Sequence, residues 1–396
     1  MRLLHTSDWH IGRTFHGHPT TGHLREVLDA LVTVVRDNHV DVVLVAGDVF
    51  DSATPAAEYY EVLTDVLREI RGTGATVVLT SGNHDSATRL GFQSDFASLA
   101  GIHVVTRPEL HDRPIELSDE HGNVAIYGIP FLEPALVRHR YPDVELRTQA
   151  DVLRMAMDNI RADVRERGTR SVVLSHCFAA NVGAPDLDHE RGMVSQTPGL
   201  ERDLTAGGLD VVPLSTFDGV DYVALGHIHG RAQLSDSVRY SGAPLHYSFS
   251  EAAKPRGVWL VDLNANGLAG AEWVDLPIPR RLSVLTGTLD ELLGDPALAN
   301  YENDWVCAFL TDQARPLDAM RRLQARFPWC AHLEHRPSIV TEASGATYAE
   351  RLRLKSDSEI VDGFLEHVRN GVGTTVAERA VIAAVIAERS AREVEA

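Results

Sequence analysis

"VDYVALGHIHG", residues 220–230, passes from an apolar run straight into two histidines, His227 and His229, one residue apart. A short apolar run bounded by turn residues reads as a strand buried on both faces. Alternate residues leaving such a strand point to one side, so both imidazoles address the same space.

The pattern repeats upstream. "RLLHTSD" runs into Asp8 and His10, "VDVVLVAGD" ends at Asp48, "ATVVLTSGNHD" carries Asn83 and His84, and "SVVLSH" ends at His176. Further strands read at "NVAIYGI" and "GVWLVDL". Between them lie helical segments. "HLREVLDALVTVVRDNH" places Leu24, Val27, Leu28, Leu31 and Val35 on one stripe, "PAAEYYEVLTDVLREIRG" has Pro55 in its expected first turn and Gly72 at its end, and a long helix covers about 147–168. Strands alternating with helices predict an α/β layered domain over the first 260 residues.

The chain has 396 residues, 44% hydrophobic and 23% charged, ordinary for a globular protein. No apolar stretch approaches the roughly 18–20 residues a membrane span needs, and "MRLLHTSDWH" lacks the apolar core of a signal peptide, so a cytoplasmic protein without a membrane partner is expected. Cys177, Cys307 and Cys330 are far apart and form no C-x-x-C pair, which predicts reduced core thiols. The formal net charge of −19 excludes a protein that grips phosphate backbones through a basic surface alone. A polyanionic substrate would need metal ions, an arginine cluster or a basic partner.

Taken singly, each strand end has an ordinary explanation. Gly-Asp after a strand is usually a turn, and a lone histidine such as His176 is more often a satisfied core residue than a ligand. Five such ends in order are different, because α/β sheets place their sites there. Carboxylates, imidazoles and one amide, with no thiolate, suit a hard to intermediate divalent ion such as Mn²⁺ or Fe²⁺, with Zn²⁺ an alternative. Seven donors (Asp8, His10, Asp48, Asn83, His176, His227 and His229) exceed what one ion takes. Two ions roughly 3.5–4 Å apart sharing one carboxylate would use them, the arrangement that clamps phosphoryl oxygens and activates water.

The blocks D-x-H, G-D-x-x-D, G-N-H-D, H and G-H-x-H resemble the calcineurin-like metallophosphoesterases over residues 1 to about 250, and "GDVFDSATP", "GHIHGRAQ" and "YSGAPLHYSFSE" resemble the SbcD-type nucleases within them. The resemblance implies a four-layer αββα sandwich, a DNA phosphodiester substrate and two divalent ions, Mn²⁺. One ion would be held by Asp8, His10 and His229, the other by Asn83, His176 and His227, with Asp48 bridging. His84 would then orient the scissile phosphate or protonate the leaving oxygen, and Asp85 would orient His84 or its loop. Relatives often carry a histidine where this chain has Asp51, so Asp51 is assigned a supporting or turn function only. His5 reads as a core residue and His16 and His18 as loop residues. Arg13 and Arg89 are candidates for phosphate contacts, and Ser241, Gly242 and His246 for groove lining.

Composition shifts at "DLPIPRR", residues 275–281, giving an expected nuclease domain 1–275, an α/β capping domain 281–340 and a helical tail 341–396. Ser356-x-x-Glu359 and Thr375-x-x-Glu378 mark two helix starts in the tail. The family resemblance turns this hairpin into a docking element for an SbcC-type ATPase, with Ile360, Phe364, Leu365, Val381, Ile382 and Val385 on its face. The implied role is cleavage at DNA ends or hairpins in repair and recombination, and the assembly could hold two copies as a homodimer within a heterotetramer. The rival readings are a small-molecule phosphodiesterase with the same donors and a non-catalytic scaffold for the ATPase.

Overall fold

The computed structural model describes residues 1–180, 211–337, 355–369 and 371–395. The chain forms two compact units, Met1–Pro279 and Arg280–Ala396. The expected boundary at residues 340 and 341 lies outside the described residues.

The first unit runs β1 (Arg2–Thr6), α1 (Thr21–Asp37), β2 (Val42–Ala46), α2 (Ala57–Gly72), β3 (Thr76–Thr80), β4 (Ile102–Val105), β5 (Ile115–Asp119), β6 (Gly122–Gly128), α3 (Gln149–Arg167), β7 (Arg170–His176), β8 (Tyr222–Gly226), β9 (Ala232–Gln233), β10 (Val238–Tyr240), β11 (Gly257–Asn264) and β12 (Gly267–Asp275), with shorter turns between. Two six-stranded sheets result, in the orders β12-β11-β1-β2-β3-β4 and β9-β10-β8-β7-β6-β5. Each has four parallel strands edged by antiparallel ones.

Leu3, Val42, Leu44 and Val78 of one sheet pack on Val124, Ile126, Val172, Leu174 and Ala224 of the other, forming the inner core. The outer face of the first sheet is covered by α1 and α2, whose Leu24, Val27, Leu28, Leu31, Val66 and Ile70 are buried. That of the second is covered by α3 through Val152, Leu153, Ala156, Met157 and Ile160. Four layers, αββα, follow. The central parallel strands are buried on both faces, as their unbroken apolar runs predict, with β2 and β7 buried at every residue, whereas the outer parallel strand β4 is largely half-exposed. Strand β12, at a sheet edge, is half-exposed.

Helix α2 begins later than its proline suggests. The first turn opens at Ala56, whose carbonyl accepts from Tyr59 N–H at 3.0 Å, and Pro55 stays in the loop. Helix α3 has both boundary signals: a reciprocal Thr148–Asp151 capping box and Gly168 at φ 63°.

The second unit holds β13 (Leu282–Gly287), α4 (Leu289–Gly294), β14 (Trp305–Leu310), α5 (Ala319–Arg326), β15 (Cys330–His335), α6 (Asp357–Val368) and α7 (Val376–Glu395). Up to β15 the order is strand, helix, strand, helix, strand, and the three strands are parallel. Leu289, Leu292, Leu323 and Phe327 cover them. Both tail capping boxes form: Ser356 N–H donates to Glu359 at 2.7 Å and Thr375 N–H to Glu378 at 2.8 Å. Arg369 bridges the helices to Glu378 at 2.8 and 3.0 Å. Cys177, Cys307 and Cys330 are buried free thiols.

The two sheets come into close backbone contact where β8 ends. A Cβ on Gly226 would stand 1.8 Å from the Ala46 carbonyl oxygen, a contact that neither backbone can relieve alone. Gly226→Ala should therefore destabilise the first unit by at least the ~1–3 kcal/mol of ordinary overpacking. A urea midpoint equal to that of the unchanged chain would show that the sheets are not locked there.

Candidate metal centre

The carboxyl ends of β1, β2, β3, β7 and β8 open into loops that are tied to one another. Asp8 N–H donates to Gly47 O at 3.0 Å, His10 N–H to Asp48 O at 3.0 Å and Ile11 N–H to Val49 O at 2.9 Å, so the first two loops continue the pairing of their strands. Within them the backbone is strained. Asp8 (φ 53°), His10 (44°), Asp48 (50°) and His227 (102°) all lie in the left-handed region that L-residues avoid. Each such residue costs on the order of 1–3 kcal/mol and persists where surroundings over-determine it, commonly at functional sites. Here the strained turns aim side chains into the gap between the sheets.

The seven predicted donors come together. His10 Nε2 and His229 Nε2 stand 3.1 Å apart, with the Asp8 carboxylate alongside. Asn83 Oδ1 lies 3.0 Å from His176 Nε2 and 3.1 Å from His227 Nδ1. Asp48 lies between these halves, its Oδ2 3.7 Å from His10 Nε2 and 3.4 Å from His176 Nε2. Asp8, His10, Asp48 and His176 form a buried floor, while His84, His227 and His229 are half-buried and Asn83 is exposed at the rim. Two imidazole nitrogens 3.1 Å apart attract only with a proton or a cation between them. The donor chemistry therefore fits a divalent ion.

Behind the donors stand groups that fix them. His176 Nδ1 donates to Ala46 O at 2.9 Å. His10 Nδ1 is 3.3 Å from Asp51 Oδ1, outside hydrogen-bond geometry, and Arg13 donates to the same oxygen at 3.1 Å. His84 N–H donates to Asp48 Oδ1 and its ring Nδ1 to Asp51 O, both at 2.9 Å. Asp51 thus serves two histidines at once, more than the turn role its residue type advertises. Asp85 does not touch the His84 ring; its carboxylate accepts from Val49, Phe50 and Gly82 N–H at 2.9–3.0 Å and ties two loops together. Asp8 accepts from His227 N–H at 3.0 Å and from Ser7 Oγ, which also contacts Ser241 Oγ at 2.8 Å.

Several candidates lie elsewhere. Ser241 is buried beneath Asp8, and His246 is buried with Nε2 donating to Lys254 O at 2.8 Å, so neither lines a groove. Gly242, at φ 76°, turns against the His229 carbonyl. Arg13 lies across the Tyr247 ring, 4.9 Å from its centroid. Arg89 is exposed on a four-residue helix, Ala87–Leu90. His5 is a core residue as expected, bonded to Tyr222 Oη and Leu225 O. His16 stacks in a small hairpin, 5.3 Å from the Phe249 ring, and His18 shares that hairpin. Sequence reasoning missed Glu251 and Arg256. Both are buried beside His229, and the visible signal was a charged residue closing the aromatic run "YSFSE".

The charges are strongly coupled. Burial raises the Asp48 carboxyl, but His176, then His10 and His84, outweigh it and hold the group below the usual range. Burial lowers His176, yet Asp48 lifts it to about 9. Burial, with His176 adding repulsion, lowers His227 to about 4, and burial also lowers His10.

Hard donors gathered at the carboxyl ends of two facing sheets define a class, the metal-type phosphate-ester hydrolases. Within it, the chain belongs to the calcineurin-like phosphoesterase family, whose model matches residues 1–231. Residues 278–369 match the type 5 capsule protein repressor C-terminal domain. A curated relative from Staphylococcus epidermidis, the SbcD component of nuclease SbcCD, is 25% identical over 370 residues, 93% of each chain. Two solved structures are similar at 14% identity. TT1561 of Thermus thermophilus has a TM-score of 0.40, covering 69% of this chain and 98% of that one. GAP50, the anchor in the inner membrane complex of Plasmodium, has a TM-score of 0.41, covering 85% and 98%.

The Asp48–His176 pair sets a pH signature for the chain stripped of divalent ions. With a folded value of about 9 against 6.5 unfolded, protonated His176 contributes stability that is complete below pH 6.5 and lost as pH rises through 9. Melting temperature should accordingly fall across that window, and the fall should shrink in His176→Gln. Equal pH profiles for the two chains would mean that His176 enters the fold uncharged.

Proposed function

We propose that the chain is a divalent-metal-dependent DNA nuclease acting with an SbcC-type ATPase. The observation that carries the reading is the convergence on Asp48 of the Asp8, His10, His229 set and the Asn83, His176, His227 set. In this reading each set holds one ion and Asp48 bridges them, with Mn²⁺ the metal that suits oxygen and imidazole donors without thiolate. Ions so held polarise phosphoryl oxygens and bring water nearer to hydroxide. The relative's name, a subunit of nuclease SbcCD matched over 93% of both chains, supports a nuclease working with an SbcC partner.

His84 has the attributes of the proton-handling residue. The Asp51 carbonyl only accepts, so His84 Nδ1 carries a hydrogen and holds the ring by it. The remaining nitrogen, Nε2, is a lone pair in the neutral ring and donates only as imidazolium. Protonating a departing ribose oxygen would therefore require the charged ring. With a net charge of −19, approach of DNA depends on the bound cations and on the partner's surface. No described helix is long and apolar enough to cross a membrane, and work on DNA in the cytoplasm fits the reading.

Residues 281–340 would form a separate small α/β domain and the tail would dock the ATPase. Within the hairpin, Phe364, Val381 and Val385 are exposed, whereas Ile360, Leu365 and Ile382 are half-buried. The exposed three are the stronger part of the docking face. Pairing of two copies inside a heterotetramer has support from Phe92, Phe96 and Leu99, exposed at 74%, 74% and 85%.

Two measurements test the proposal. Mn²⁺-dependent hydrolysis of end-labelled duplex DNA should exceed that of a cyclic nucleotide, and His84→Gln should lower the rate by about 10²–10⁴ with bound metal unchanged. Preference for the cyclic nucleotide would favour a small-molecule enzyme, and full DNA processing by the assembled His84→Gln complex would favour a scaffold. Removing residues 356–391 should abolish ATPase binding while Mn²⁺-dependent hydrolysis of a small phosphodiester persists. Retained binding would place the docking surface elsewhere.

A further inference from the structure

We infer that Glu251, clamped by the buried guanidinium of Arg256, is a positioning residue for His229 and sets the affinity of the Asp8, His10, His229 position for a divalent ion. The inference rests on the metal reading above. Glu251 Oε1 lies 3.3 Å from His229 Nδ1, on the side of the ring opposite the nitrogen that faces His10. The other carboxylate oxygen accepts from Arg256 Nη2 and from Tyr247 N–H at 3.1 Å. Arg256 Nη1 in turn donates to the carbonyl oxygen of His229 itself, and to Ala243 O at 3.3 Å. One ion pair therefore grips both the ring and the backbone of a single candidate donor.

Burial makes this arrangement hard to explain as packing. Glu251 is 5% exposed and Arg256 2%. Withdrawing two charges from water carries a large desolvation cost that apolar side chains of similar volume would avoid. Its placement one contact behind an imidazole gives it a function instead. A carboxylate there accepts the Nδ1 hydrogen, leaves Nε2 as the lone pair toward the cluster, and strengthens the imidazole as a donor. The other set is built differently: His176 Nδ1 is held by a neutral carbonyl, Ala46 O, at 2.9 Å. Loss of Glu251 should thus act on one position and spare the other.

The test is Mn²⁺ titration of the full chain by calorimetry, with free Mn²⁺ followed by its spin-resonance signal. Glu251→Gln should weaken one uptake step about 10–100-fold, the step that His229→Ala removes, and leave the step that His227→Ala removes. Because Glu251 also neutralises Arg256, Glu251→Asp is measured in parallel. It keeps the charge pair but withdraws from the ring, and the same selective loss is expected. On the unchanged, chelated chain, ¹⁵N-histidine spectra in mildly alkaline solution should give His229 the Nδ1–H tautomer. Two uptake steps unaltered in both variants, losses shared equally by both steps, or an Nε2–H tautomer would each overturn the role of Glu251. A native chain that takes up no Mn²⁺ would overturn the metal reading itself.

Discussion

A carboxylate buried among imidazoles is the constraint around which the first unit is arranged. Asp48 is withdrawn from water between His10 and His176, with the His84 backbone amide on its other oxygen. An isolated charge in that position would be expelled or neutralised. It is tolerated because several neighbours supply positive character, a proton on His176 and an N–H from His84 among them, which offset the nearby Asp8 carboxylate. The same logic explains why the donors need backing. Imidazoles and carboxylates that face one another at 3–4 Å would otherwise relax apart, and Asp51, Ala46 O, Glu251 and Ser7 hold them from behind.

The backbone bears the cost of that convergence. Five loops from two sheets must deliver side chains to one small volume, and left-handed turns at Asp8, His10, Asp48 and His227 accomplish it. Such strain survives only on a rigid base. The base is the inner core, where branched aliphatic residues from both sheets interdigitate, and the outer helices that press each sheet inward. Gly226 allows the two sheets close approach at the site, so main-chain contact limits the gap that each donor set spans.

Charge at the scale of the whole molecule points the same way. An acidic protein repels a nucleic acid, and its recognition must then be concentrated at a few strong points. The proposed metal site, with an exposed Asn83 at its rim, would be such a point, and a basic partner would supply others. The C-terminal hairpin, capped by Ser356 and Thr375 and cross-linked by Arg369 and Glu378, is preorganised enough to present apolar side chains to one.

The sequence by itself determined the most apolar strands, the layered α/β class and the seven side chains that converge, because buried parallel strands write unbroken apolar runs and a site at their ends leaves polar residues at fixed offsets; the shorter or half-exposed strands β4, β5, β9, β10 and β12 left no such run. Local signals also held for the capping boxes at Ser356 and Thr375, whose partners lie three residues away. What only the tertiary structure decided depends on residues distant in the chain. Ser241 and His246 looked available to a substrate, yet folding buries them, one under Asp8 and the other against the Lys254 carbonyl. Asp51 was readable as a supporting or turn residue, but only folding brings its carboxylate to His10 and its carbonyl to His84. Glu251 carried almost no signal, since a glutamate in an aromatic run acquires meaning only when Arg256 and His229 arrive beside it. Hydrophobic periodicity is a property of neighbours along the chain, whereas the support of a buried charge is a property of neighbours in space.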